Sequence, residues 1–188
     1  MEGARLHRYR LKQAEGPQAS IGNSTFPKAL KHFFAVAHLT LKIESTTMIL
    51  LTRKAEFSAS HYYWNEAWSE AENLAAFGKC SNRQGHGHNY TLEVTVAGEV
   101  DPITGFVVDL KALKEVIEHE VISVYDHRHL NHEVPEFRTL MPTTENIAVA
   151  VWRRLDHKIA GARLAKVRVY EMDDLFAEYR GEDQGEAR

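Results

Sequence analysis

The sequence predicts an α+β protein: a four-stranded antiparallel sheet with two helices on one face. Three observations carry this reading. Tyr90, Leu92, Val94 and Val96 alternate with Asn89, Thr91, Glu93 and Thr95, the period of two of a half-buried strand. Leu110, Leu113, Val116, Ile117 and Val121 recur at helical spacing, as do the apolar positions of "ENIAVAVWRRLDHKIA". The strand-like stretches follow one another without crossover helices between them, which favours antiparallel pairing with the helices gathered on one side.

Each element has its own local reason. "MILLTRKAEFSASH" is rich in β-tolerant residues and predicts a strand from Met48 to about His61. "WNEAWSEAENLAAFG" places Ser69 and Glu72 in capping-box spacing and stops at Gly78, so it predicts a short helical insertion. "HNYTLEVTVAGEV" is the second strand. The Pro- and Gly-bearing turn "DPITG" at 101–105 predicts a hairpin, with "FVVDL" as the returning strand. Asp109 caps the first long helix, and Thr143 or Thr144 starts the second, which is expected to run to Gly161. "AKVRVYEM" and "FAEYRGE" then predict two strands joined at Asp173-Asp174.

Composition narrows the class. The chain has 188 residues with 44% hydrophobic content, which suits one domain with a real core. Its single cysteine, Cys80, cannot form an internal disulfide, so a reducing, cytoplasmic setting is expected. A net charge of −3 offers no overall basic field for nucleic acid, and no apolar run is long enough to span a membrane. Residues 1–47 differ from the rest, with seven Lys/Arg against three Glu and no sustained periodicity. They are expected to be a poorly ordered extension, or an upstream stretch included by too early a start. The domain proper is expected at 48–182 and a polar tail at 183–188.

The residues that carry chemistry cluster around "CSNRQGHGHNY", 80–90. His86 and His88 stand at i and i+2 at the entrance to a strand and leave the same face, so they can supply two ligands to one metal. His61, at the end of the first strand, supplies a third if the two strands are neighbours. Three histidines with an open position make a catalytic zinc site. With 11 His in the chain a chance H-x-H is not rare, but Gly85 and Gly87 leave space that a packed core histidine does not need. Cys80 is either an inert small apolar residue or, beside a cation or imidazolium, a base or nucleophile of depressed pKa. Asp126 beside His127 suits general acid/base work, while His129 and His132 are expected to be exposed loop residues. Glu171 shares a strand face with Val167 and Val169, where a carboxylate is either salt-bridged or anchors a ligand.

Taken together, "FSASH", "ENLAAFGKCSNRQGHGHNY", "GEVDPITGFVVDL", "DHRHLN", "PTTENIAVAVW" and "VRVYEMDDLFAEYRGE" resemble the 6-pyruvoyl-tetrahydropterin synthase family, which includes the 6-carboxy-tetrahydropterin synthases, from about Arg53 to Glu182. The resemblance implies the tunnelling fold, in which three subunits close a twelve-stranded barrel and two rings make a homo-hexamer. It implies zinc held by His61, His86 and His88, proton transfer by Cys80, an acid–histidine pair in Asp126 and His127, and a pterin held by Glu171. Thr143 and Thr144 match threonines near that pocket. The implied substrate is 7,8-dihydroneopterin triphosphate. The six-residue step from Cys80 to His86 is more like the pyruvoyl-forming members. The alternatives are the 6-carboxy-tetrahydropterin synthase of queuosine biosynthesis and a non-catalytic pterin- or purine-binding protein.

Overall fold

The structure, a computed structural model, describes residues 47–181. The expected N-terminal extension and the polar tail therefore lie outside the described residues, except for Thr47. Five strands, β1 (Ile49–His61), β2 (His86–Gly98), β3 (Arg128–His129), β4 (Arg163–Met172) and β5 (Leu175–Tyr179), form one sheet in the order β3-β1-β2-β4-β5. The four long strands are antiparallel as expected. The two-residue β3 adds a parallel edge to β1 at Ala59 and Ser60.

The helices are α1 (Glu70–Phe77), α2 (Leu110–Ile117), α3 (Ser123–Tyr125), α4 (Leu130–Glu133) and α5 (Thr144–Leu155), with a π-turn over Glu118–Ile122 joining α2 to α3. The capping reasoning holds at the starts of α1, α2 and α5. Ser69 and Glu72 exchange the two bonds of a capping box, Asp109 accepts from the N–H groups of Lys111 and Ala112, and Thr143 accepts from that of Asn146. Two predictions fail. "FVVDL" is not a strand, because both edges of β2 are already paired, by β1 and β4. Val107 and Val108 tuck into the core from an irregular lead-in to α2 instead. The last helix ends at Leu155 rather than Gly161, since Asp156 leaves helical geometry and His157 takes a left-handed φ of 60°.

The two faces of the sheet are built differently. Phe57, Tyr90, Leu92, Val94, Val167 and Val169 point to one face and form the core with Leu113, Ile117, Ile147 and Val151 of the helices. On the other face Lys54, Glu93, Arg168 and Glu178 are neighbours in register across β1, β2, β4 and β5. Their alternating charges approach to 2.8, 3.8 and 2.6 Å in turn. Opposite charges on directly paired residues stabilise the pairing, and they let the carboxylate of Glu93 sit nearly buried.

The segment between α3 and α5 is pinned from beneath. Arg154 of α5 makes a two-pronged contact with Glu136, at 2.6 and 2.8 Å, and the Tyr125 hydroxyl donates to the same carboxylate at 2.7 Å. Among the described residues no helix is long and apolar enough to cross a membrane.

Candidate metal centre

Register decides whether the three histidines meet. β1 and β2 pair so that His61 lies opposite His86 and Ala59 opposite His88, which puts all three imidazoles on one face at one end of the sheet. A nitrogen from each lies within 4.8 Å of the other two. His61 Nε2 and His86 Nε2 are 3.1 Å apart.

The ring orientations fit a cation. His61 Nδ1 donates to the carbonyl of Pro142 at 2.8 Å; a carbonyl only accepts, so Nδ1 carries the proton and Nε2 presents a lone pair to the cluster. His88 Nε2 is enclosed and has no hydrogen-bond partner. Glu171 Oε1, 3.5 Å away, is too far to satisfy it. An orphaned ring nitrogen aimed into a group of two other imidazoles is what a divalent metal would complete. Burial pushes the His61 imidazole down to about 4 and also lowers His86, so both are neutral and competent to ligate at neutral pH. His61, His86 and His88 could therefore hold a metal ion.

Glu171 of β4 sits beside the cluster, with Oε2 accepting from the Thr144 hydroxyl at 2.5 Å and the Tyr63 hydroxyl at 3.3 Å. The two threonines thus do different work: Thr144 reaches Glu171 while Thr143 caps α5. Cys80 lies in the 3-10 turn Gly78–Ser81, partly exposed, and its carbonyl accepts from the Tyr63 N–H at 2.8 Å. Burial first, and then the Glu171 carboxylate, push the thiol up. A depressed thiol pKa therefore does not come from the surrounding protein groups, and a thiolate here needs an added positive charge.

Asp126 and His127 form the expected pair, with His127 Nδ1 2.8 Å from Asp126 Oδ2. Asp126 Oδ1 accepts from the Ser58 N–H at 2.8 Å, and that bond, followed by the one to His127, holds the carboxyl below its usual range. His127 adopts a left-handed φ of 56° and bonds back to the Ser58 carbonyl, so the pair is locked against the outer side of β1. Its imidazole borders the same open cleft as His88, about 440 Å³ in volume, yet it is 83% exposed and bonds only to Asp126. The structure does not bring this pair onto the three-histidine cluster. A larger cavity of 910 Å³, near Trp152 and Arg163, shares no residue with the cluster.

Three features escaped the sequence reading. Tyr63 and the Pro142 carbonyl act on the site from loops, where no periodicity marks them. His129, expected to be exposed, has both ring nitrogens enclosed, with Nε2 against Gly85, and packs on Tyr62, since β3 draws its backbone onto the edge of β1. His132 is exposed as expected.

Known proteins share this arrangement of sequence. Human 6-pyruvoyl tetrahydrobiopterin synthase is 45% identical over 132 residues, 70% of this chain and 91% of the human protein. A protein of Archaeoglobus fulgidus, named a putative 6-carboxy-5,6,7,8-tetrahydropterin synthase, is 34% identical over 61% of this chain and 90% of its own length. The structure of Caenorhabditis elegans 6-pyruvoyl tetrahydropterin synthase superposes with a TM-score of 0.69 at 38% identity, covering 72% of this chain and 97% of that one. The 6-pyruvoyl tetrahydropterin synthase family matches residues 50–182. Running from within β1 to beyond β5, that match shows that the chain belongs to the 6-pyruvoyl tetrahydropterin synthase family and has its tunnelling fold.

Proposed function

We propose that residues 48–182 form a zinc-dependent lyase that converts 7,8-dihydroneopterin triphosphate to 6-pyruvoyl-tetrahydropterin with loss of triphosphate. The observation that carries this reading is the orphaned His88 Nε2 facing His61 and His86 beside Glu171. The 45% identity to the human protein, against 34% to the carboxy-named relative, favours the pyruvoyl product.

His61, His86 and His88 would hold the zinc, which would supply a Lewis acid to the substrate side chain. Glu171 accepts hydrogen bonds from the amino-pyrimidine edge of the pterin and fixes the ring. Thr144 secures that carboxylate, and Thr143 holds the start of α5 beside it. Cys80 Sγ takes and returns protons at the carbons of the side chain, and Asp126 orients His127 for the partner proton transfers. The rearrangement is internally redox-neutral: the ring gains the electrons the side chain loses, so no external reductant is required.

The protein assembles as a homo-hexamer, a dimer of trimers, because closing several such sheets into a barrel pairs the edge of β5 with the part of β1 that β3 leaves uncovered. Asp126 and His127 then serve a neighbouring subunit's Cys80. The lone cysteine suits a reducing compartment, the cytoplasm. Incubation of the zinc-loaded chain with 7,8-dihydroneopterin triphosphate and mass analysis of the product tests the reading. The mass of 6-pyruvoyl-tetrahydropterin with free triphosphate is expected. The carboxy product would reassign the enzyme to the queuosine-type reaction, and unchanged substrate would leave a binding protein.

A further inference from the structure

Tyr63 lies where three functional elements meet. Its backbone N–H donates to the Cys80 carbonyl at 2.8 Å, its ring stands edge-on to His61 with centroids 5.0 Å apart, and its hydroxyl donates to Glu171 Oε2 at 3.3 Å. Thr144 donates to that same oxygen at 2.5 Å. A carboxylate oxygen that accepts from two hydroxyls has little capacity left, so Oε1 is the acceptor that remains, and it faces His88 Nε2 at 3.5 Å.

We infer that Tyr63 is a positioning residue of the pterin site, which acts through Glu171 by occupying Oε2 together with Thr144 so that Oε1 is presented beside the histidine cluster. The inference rests on the pterin reading proposed above. Packing of the ring on His61 and on Phe77, at 6.0 Å, keeps the hydroxyl aimed. An orientation set by two donors from different elements, one in the loop after β1 and one in α5, resists rotation better than either alone. The carboxylate then meets an incoming ring edge without first reorganising.

Tyr63→Phe removes the hydroxyl and keeps the ring. We expect unchanged zinc content and melting temperature, a KM for 7,8-dihydroneopterin triphosphate raised about tenfold, and a kcat within about twofold of the parent. Direct binding of 7,8-dihydroneopterin, followed by fluorescence, should weaken by the same factor. Combining Tyr63→Phe with Thr144→Val should cost more than the product of the two single effects, because each single variant keeps one donor on Oε2 and the double variant keeps neither. Unchanged KM and binding in an active protein would overturn the inference and leave the pterin reading standing. Loss of zinc in Tyr63→Phe would also overturn it, since the residue would then act through His61. A parent chain that neither turns over nor binds these pterins would overturn both.

Discussion

His61 Nδ1 donates to the backbone carbonyl of Pro142 at 2.8 Å, a bond between the end of β1 and the residue before the N-cap of α5. It holds the imidazole in the tautomer whose other nitrogen faces His86, and it ties the three-histidine cluster to the folding of a distant segment. Burial lowers the His61 pKa to about 4 in the folded state, whereas the unfolded chain titrates near its ordinary value of 6.5. Between these values the unfolded state binds the extra proton, so stability is fully present above about pH 6.5 and falls as pH drops towards 4. The zinc-free protein is expected to lose about 1.4 kcal/mol per pH unit from this group across that window. Urea melts at pH 7, 6 and 5 check it, and a flat profile would reject the assignment.

His86→Ala or His88→Ala should lower bound zinc and activity together, because two remaining imidazoles cannot hold the ion tightly. Metal content by atomic emission is the measurement. Full zinc in both variants would reject the ligand set.

Cys80→Ala should keep fold and zinc yet lose most turnover. The Glu171 carboxylate raises the Cys80 pKa, so Glu171→Gln should lower it and speed alkylation of the zinc-free protein by iodoacetamide at pH 7.5. An unchanged or slower rate would show that Glu171 does not act on the thiol.

Mixing inactive Cys80→Ala with inactive His127→Ala chains should restore part of the activity. His127 bonds to Asp126 and to none of the three clustered histidines, which suits a pair that works across a subunit boundary. Chains that exchange subunits yet stay inactive would place His127 in the site of its own chain, through the cleft it shares with His88.

Gly85 has a φ of +80°, and a side-chain carbon there would meet His129 Nε2 at 2.8 Å and the His61 carbonyl at 3.1 Å. Gly85→Ala is expected to destabilise the fold by about 1–3 kcal/mol and to weaken zinc binding, since relief of the clash shifts β1 against β2. Thermal melts and zinc titration check this. Gly105→Ala, also at positive φ but with nothing within 4 Å of the added carbon, should destabilise without touching zinc.

A chain beginning at Met48 should fold and remain active, because the core strands and every candidate site residue follow it. Aggregation of that chain would make the first 47 residues part of the domain.

Much of the site could be read before any coordinate was known. The Gly-flanked H-x-H, the capping box at Ser69 and Glu72, the cap at Asp109 and the alternation of β2 are local patterns. Local patterns report which way a side chain leaves the backbone and where a helix starts. What they cannot report is who stands opposite. Whether His61 completes a triad depends on a register of thirteen paired residues, and a slip of one would send His61 to the other face from His86. The same limit explains "FVVDL": its residues favour a strand, but β2 had no free edge for them, and edge occupancy is a property of the whole sheet. Nothing local marks Lys54, Glu93, Arg168 and Glu178 as a group; the register of four strands places them in one row. Tyr63 and the Pro142 carbonyl reach the site only because the loop after β1 and the residue before α5 close over the same end of the sheet. Sequence by itself therefore determined the faces, the caps and the candidate ligand types, while tertiary structure decided register, partners and proton positions, since these depend on contacts between residues far apart in the chain.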